Sequence, residues 1–302
     1  MKFVRSLMIF SILWYVMFEL GLYATLENAT FLGKWLPIII IAIFGIYVVL
    51  HAIWEVIKKI MENSDVKVPF QILYTKTPKL PINNANEERA VLASVLYESS
   101  CIAISDNKNL KKLAENPYFQ PEYRIEARDY FYVNALEYAS DPFITGGLKD
   151  SFELSWEVKD KESALETLSA LWESVDNDLE VIASADIEEI DHQITEFGMH
   201  FDPKDKQTNA AGFHLIRLVW VARASYACGY IDEGELRQVL SAVGECIGAN
   251  YRNWQELAYS YLVSFMIWAI STEQARYFIR ERVLCVKECL ENRVSPLVRS
   301  HF

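Results

Sequence analysis

Arg217 and Arg223 stand six residues apart in an apolar stretch, and a guanidinium is well shaped to hold a carboxylate or phosphate by paired hydrogen bonds. If that stretch is a helix turning about 100° per residue, the two side chains point about 120° apart. An unpaired charge is costly to bury, so each arginine should meet a carboxylate or reach the edge of the domain. Asp150, Glu153, Asp232 and Glu256 are the candidate partners. Two arrangements meet that need. One is a buried ion-pair network inside a helical core. The other is an anion-recognising pocket walled by Tyr226, Tyr230 and Trp254, with Asp150, Trp156 and Glu256 as further members.

His192, Glu196 and His200 recur every four residues. On one helix face, two imidazoles and a carboxylate can hold zinc and leave a position for water. Gly198 falls before the third residue and is expected to end the helix, so no metal and no cofactor are expected. The five cysteines, Cys101, Cys228, Cys246, Cys285 and Cys289, form no CxxC pair. Cys285 and Cys289 share a helix face as core residues. Cys228 precedes Gly229 at a helix C-terminus, where the dipole raises a thiol pKa and keeps it inert. There is no G-x-S-x-G, no P-loop and no G-x-G-x-x-G. An enzymatic reading therefore rests on the arginines and nearby carboxylates alone.

The elements that carry these residues read as helices. Ala90, Leu92, Val95, Leu96, Ile102 and Ala103 keep to one side of a helix predicted over Glu87–Ser105. Segments Leu110–Glu115 and Glu122–Tyr138 follow, and the pair Gly146 and Gly147 precedes a short segment ending near Trp156. Asp160 is expected to cap a helix through Trp172, with Glu162 in its first turn where the dipole favours an anion. Ala185–Phe197 ends at Gly198, and Phe213–Cys228 stops at Gly229, a left-handed terminator. Asp232 and Glu235 have capping-box spacing. Asn253–Ile270 and Glu273–Leu290 complete an all-α domain over residues 86–302.

One set of segments looks familiar. Gly147–Phe152, Ser155–Val158 and the helix Ser163–Leu171 lead into Phe213–Arg217, Ala222–Tyr226 and Cys228–Asp232, then Tyr251–Glu256 and Ser260–Leu262. Together they resemble domain of unknown function 1266 (DUF1266), a bacterial all-α family, over roughly residues 146–270. The sequence departs from that pattern at His214, Trp220 and Ser225, where members often carry Asp, Asn and Gly. The resemblance implies a helical fold and a bacterial origin, and no activity.

Two apolar runs precede the domain, Leu7–Leu26 with Glu19 as its one charge and Trp35–Ile57 with His51 and Glu55 near its end. Each is long enough to cross a hydrocarbon core about 30 Å thick, which takes roughly 20 helical residues. They are expected to form a two-helix transmembrane hairpin over residues 1–59, joined to the domain by a Pro-containing linker over 60–85 in which Val66–Tyr74 is extended. Lys2 and Arg5 flank the first run, and Lys58 and Lys59 close the second, so both termini belong in the cytoplasm. A bacterial inner membrane fits that arrangement. Glu19 would be an intramembrane carboxyl, facing Gly45 and Tyr47 on the returning helix.

The whole chain carries 29 basic and 41 acidic residues. Residues 60–302 hold 24 and 38 of these, which disfavours nucleic acid and anionic headgroups as partners of the domain. The leading expectation is a membrane-anchored cytoplasmic binding module that engages a protein partner or a second copy, in a regulatory or immunity-type role. An enzyme acting on an anionic small molecule at the membrane face, and an oligomeric channel or transporter component, are the alternatives.

Overall fold

The computed structural model describes residues 30–62, 65–67, 80–98, 102–104, 142–179, 184–206, 209–293 and 295–302. The chain divides into two compact units, 1–61 and 62–302. In the first unit the described element is α1, Thr30–Glu62. It starts inside the segment expected to be the loop between the two apolar runs. Among the described residues no helix is long and apolar enough to cross a membrane. The run Leu7–Leu26, with Glu19, lies outside them, and the side chains described in the second run are all from Ala42 onward. The two-helix hairpin is therefore not part of the described fold.

Among its described residues, the second unit is helical apart from one short ladder. Its elements are β1 (Asp65–Lys67), α2 (Ala85–Ala93), α3 (Val95–Glu98), β2 (Ile102–Ile104), α4 (Pro142–Trp156), α5 (Lys161–Asp178), α6 (Ser184–Glu196), α7 (Gly212–Ala227), α8 (Glu233–Asn250), α9 (Trp254–Ser271), α10 (Arg276–Glu291) and α11 (Pro296–Arg299). β1 and β2 pair antiparallel, Asp65 opposite Ile104 and Lys67 opposite Ile102. This corrects the single helix predicted over Glu87–Ser105. The helix breaks at Ser94, whose hydroxyl turns back to the Val91 carbonyl at 2.7 Å, and Ile102 and Ala103 leave it for the ladder. Residues 110–115 and 122–138 lie outside the described residues.

Local chemistry sets the other boundaries. Asp160 caps α5 in a reciprocal box with Ser163, and the helix continues to Asp178, past the predicted end at Trp172. Gly146 and Gly147 sit inside α4 and do not precede it. Gly198 and Gly229 adopt positive φ of 86° and 75°, as left-handed terminators must. Asp232 and Glu235 form the anticipated capping box at the start of α8. The last long helix begins at Arg276, because Glu273 takes a φ of 52° and cannot start it.

α7 is the central helix, packed on α5, α8 and α9 and touched by α2 and α3. Leu215, Ile216, Leu218, Val219, Val221 and Ala222 are fully buried along it. Its crossing with α9 is close enough that a Cβ on Gly212 would lie 2.4 Å from the Tyr261 amide nitrogen. The crossing of α2 and α8 is closer still: a Cβ on Gly244 would lie 1.9 Å from the Asn86 carbonyl oxygen.

Candidate functional site

Arg223 is fully buried on α7. Its Nη1 donates to both Glu98 oxygens, at 2.6 and 2.7 Å, and to Ser94 Oγ at 2.9 Å. The break between α2 and α3 creates this site by bringing Ser94 and Glu98 onto the flank of α7. Burial pushes the Glu98 carboxyl above its ordinary range, and the Arg223 charge pulls it back. The partners anticipated for Arg223 were Asp150, Glu153, Asp232 and Glu256. The carboxylate it meets among the described residues is Glu98, 125 residues away in sequence. Arg223 thus acts as a structural clamp.

Arg217 has a different fate. Its guanidinium carbon lies 4.9 Å from the Trp156 ring centre and 4.7 Å from that of Phe213. No carboxylate among the described residues reaches it, and its buried Nε makes no hydrogen bond. Stacking on two rings compensates part of the lost hydration. Burial still lowers the guanidinium pKa from its ordinary value. The rings belong to a larger aromatic cluster. Trp220 meets Trp156 and Phe152 at 5.4 Å each and Tyr97 at 5.7 Å, while Phe213 meets Trp268 at 5.8 Å. Trp268 is 37% exposed, and its neighbours Ile267 and Ile270 also reach solvent. A stacked cation therefore sits among aromatic side chains at the edge of the core.

His214, next on the same helix, points its Nε2 at Asp178 Oδ2, 3.0 Å away. Burial, helped by the Arg217 charge, lowers its pKa to about 4, so the imidazole is neutral near pH 7. With the imidazole neutral, the 3.0 Å contact is not an ion pair, and burial raises the Asp178 pKa as well. The buried Nδ1 has no hydrogen-bond partner among the described residues.

Of the other anticipated site residues, the fold brings only Trp156 to Arg217. Glu256 is fully buried but binds Arg252, through both its side chain and its backbone N–H. Trp254 packs on Phe302, ring centres 4.8 Å apart. Lys149 lies over Tyr230 at 5.4 Å, Tyr226 is half-buried, and Asp150 is exposed on α4. The single pocket combining these residues with both arginines is not formed. Glu196 pairs with Arg276 at 2.7 Å, His192 is exposed, and Gly198 separates His200 from the helix. Among the described residues no cluster of His, Cys, Asp and Glu could hold a metal. Burial raises the Cys228 thiol to about 11, as expected of an inert residue. Reading the sequence alone missed Glu98, Tyr97 and Phe213 as neighbours of the arginines. The spacing of Ser94 and Glu98, four apart on a helical face, was the one local signal.

A family model described as "Protein of unknown function (DUF1266)" matches residues 151–302. The match takes in α10 and α11, beyond the segments that carry the resemblance. No curated protein matches the chain. No solved structure matches it.

Proposed function

The chain belongs to the DUF1266 family, and from that premise we propose that it is a helical binding module anchored in a membrane and engaging a protein partner. The observation that carries the anchor is the surface of α1. Ile43, Ile46, Tyr47, Val49, Leu50, Ile53, Trp54, Val56, Ile57 and Ile60 are all substantially exposed. At 100° per residue they cover about half the circumference of the helix. Thirty-three residues at 1.5 Å each make α1 about 50 Å long, so this apolar face is extended. An apolar surface of that extent in water would exceed what a monomeric protein ordinarily exposes. Lys2, Arg5, Lys58 and Lys59 orient the anchor with the domain in the cytoplasm, in the manner of a bacterial inner-membrane protein.

The binding role is supported by the Arg217 cluster. Trp and Arg dominate the energetics of protein interfaces, and here Trp156, Arg217 and Trp268 lie together at the edge of the core. The fitting partner offers a carboxylate among apolar side chains. Arg223, which an enzyme handling an anion at this helix would also need, is committed to Glu98. Alkaline carbonate extraction of membranes from cells making the full chain tests the reading. The protein should stay in the membrane pellet, and replacing Ile46, Leu50 and Ile53 together by Lys should shift it towards the supernatant. Complete release of the unaltered chain would end the reading.

A further inference from the structure

A cavity of about 400 Å³ lies between α2 and the C-terminal residues 299–302. Pockets that hold small organic ligands begin near about 300 Å³, so the space is sufficient for one. Ala85, Glu88, Arg89 and Leu92, spaced i, i+3, i+4 and i+7, present one face of α2 to it.

Arg89 is held firmly but only by one of its nitrogens. Nη1 donates to Asn86 Oδ1 and to the Gly244 carbonyl, each at 3.1 Å. The room for that nitrogen comes from Gly248, where a Cβ would stand 2.5 Å from it. The Nε–Nη2 edge, the side of a guanidinium that takes a carboxylate by two parallel bonds, donates to no described residue, and Nε is buried. Ser300 Oγ, on the facing tail, is likewise buried without a partner among the described residues. A buried donor without an acceptor is costly, and both of these groups belong to residues that line the one cavity. Arg299, its Nε donating to the Arg293 carbonyl at 3.0 Å, adds a second positive charge at the rim against the one acidic side chain, Glu88. The Phe302 ring, 5.5 Å from the Arg89 guanidinium carbon, and Leu92 supply apolar wall.

We propose that this cavity binds a small organic anion, its carboxylate held by the free edge of Arg89 and by Ser300, its apolar body against Phe302 and Leu92. The site is separate from the Arg217 cluster and does not depend on the membrane reading.

The test uses the purified full chain in detergent, with 4-fluorobenzoate as probe followed by ligand-observed fluorine NMR and inorganic phosphate as competitor. Saturable benzoate binding is expected, weakened at least tenfold in R89Q and about threefold in R299Q, and unchanged in the remote surface variant K159Q. Thermal unfolding of each variant confirms that it is folded. Should R89Q fail to fold, the double variant R299Q/S300A on the tail carries the comparison, with a tenfold loss expected. Absence of saturation with benzoate, or equal binding by the arginine variants and the parent, would overturn the proposal. Saturation by phosphate with none by benzoate would overturn the organic ligand.

Discussion

Replacing Glu98 by Gln should unfold the domain more readily than almost any other single polar change. The Arg223 side chain is wholly excluded from water, and the Glu98 side chain is 8% exposed. One guanidinium nitrogen satisfies both carboxylate oxygens and the Ser94 hydroxyl. Removing the carboxylate charge takes the Glu98 counter-ion away from a fully buried cation, which costs about 3–5 kcal/mol. With a urea slope of about 2–3 kcal/mol/M for a domain of this size, the midpoint should fall by about 1–2 M. R223M should cost a similar amount, because it leaves Glu98 buried and alone. The double variant E98L/R223M removes both charges together and should recover most of the loss. Urea titration of the full chain, read by Trp fluorescence and circular dichroism, measures all three. A loss below about 1 kcal/mol for E98Q would refute the clamp, since that is the range of an exposed ion pair. It would also return Arg223 to the set of residues available to a ligand.

Three further outcomes follow from the packing and the titrating groups. His214 has a folded pKa of about 4, below its ordinary 6.5, so its neutral form is the one the fold prefers. Its contribution is complete above about pH 6.5 and is lost as pH falls towards 4, up to about 3 kcal/mol at 1.36 kcal/mol per unit. H214L should therefore lose less stability than the parent between pH 7 and pH 4.5 in parallel urea titrations. G244A drives a Cβ into the Asn86 backbone and should lower the melting temperature with a cost of at least about 1–3 kcal/mol. G146A, at an α4 position where a Cβ meets nothing within 4 Å, should raise it, gaining about 0.5–1 kcal/mol.

Sequence patterning reached the helical elements wherever a local signal marks their ends. Asp160, Asp232, Asn253, Gly198 and Gly229 all stand at the boundaries they announce. It failed where tertiary geometry overrides periodicity. Ile102 and Ala103 continue an apolar helical face in sequence, yet Ala103 pairs with Val66 and Ile102 with Lys67, at separations of 37 and 35 residues, which no local pattern reports. The glycines of α4 read as a break, but two helix-interior glycines cost only about 2 kcal/mol, which packing of Leu148 and Phe152 can offset. The site was legible as a requirement and not as a pairing. That buried arginines need compensation follows from electrostatics. That Arg223 takes Glu98 while Arg217 takes two aromatic rings depends on how α2, α3 and α4 cross α7. Glu256 shows the converse: Arg252, four residues away, was the simpler partner all along.

The central claim, a membrane-anchored module whose Arg217 cluster docks a protein, is tested most directly by photocrosslinking in native membranes. A photoreactive phenylalanine analogue replaces Trp268, the exposed member of the cluster. Illumination should yield one discrete crosslinked protein in the membrane fraction, and R217Q in the same chain should abolish that band without lowering the amount of anchored protein. Recovery of the chain uncrosslinked, or a band that persists unchanged in R217Q, would contradict the account.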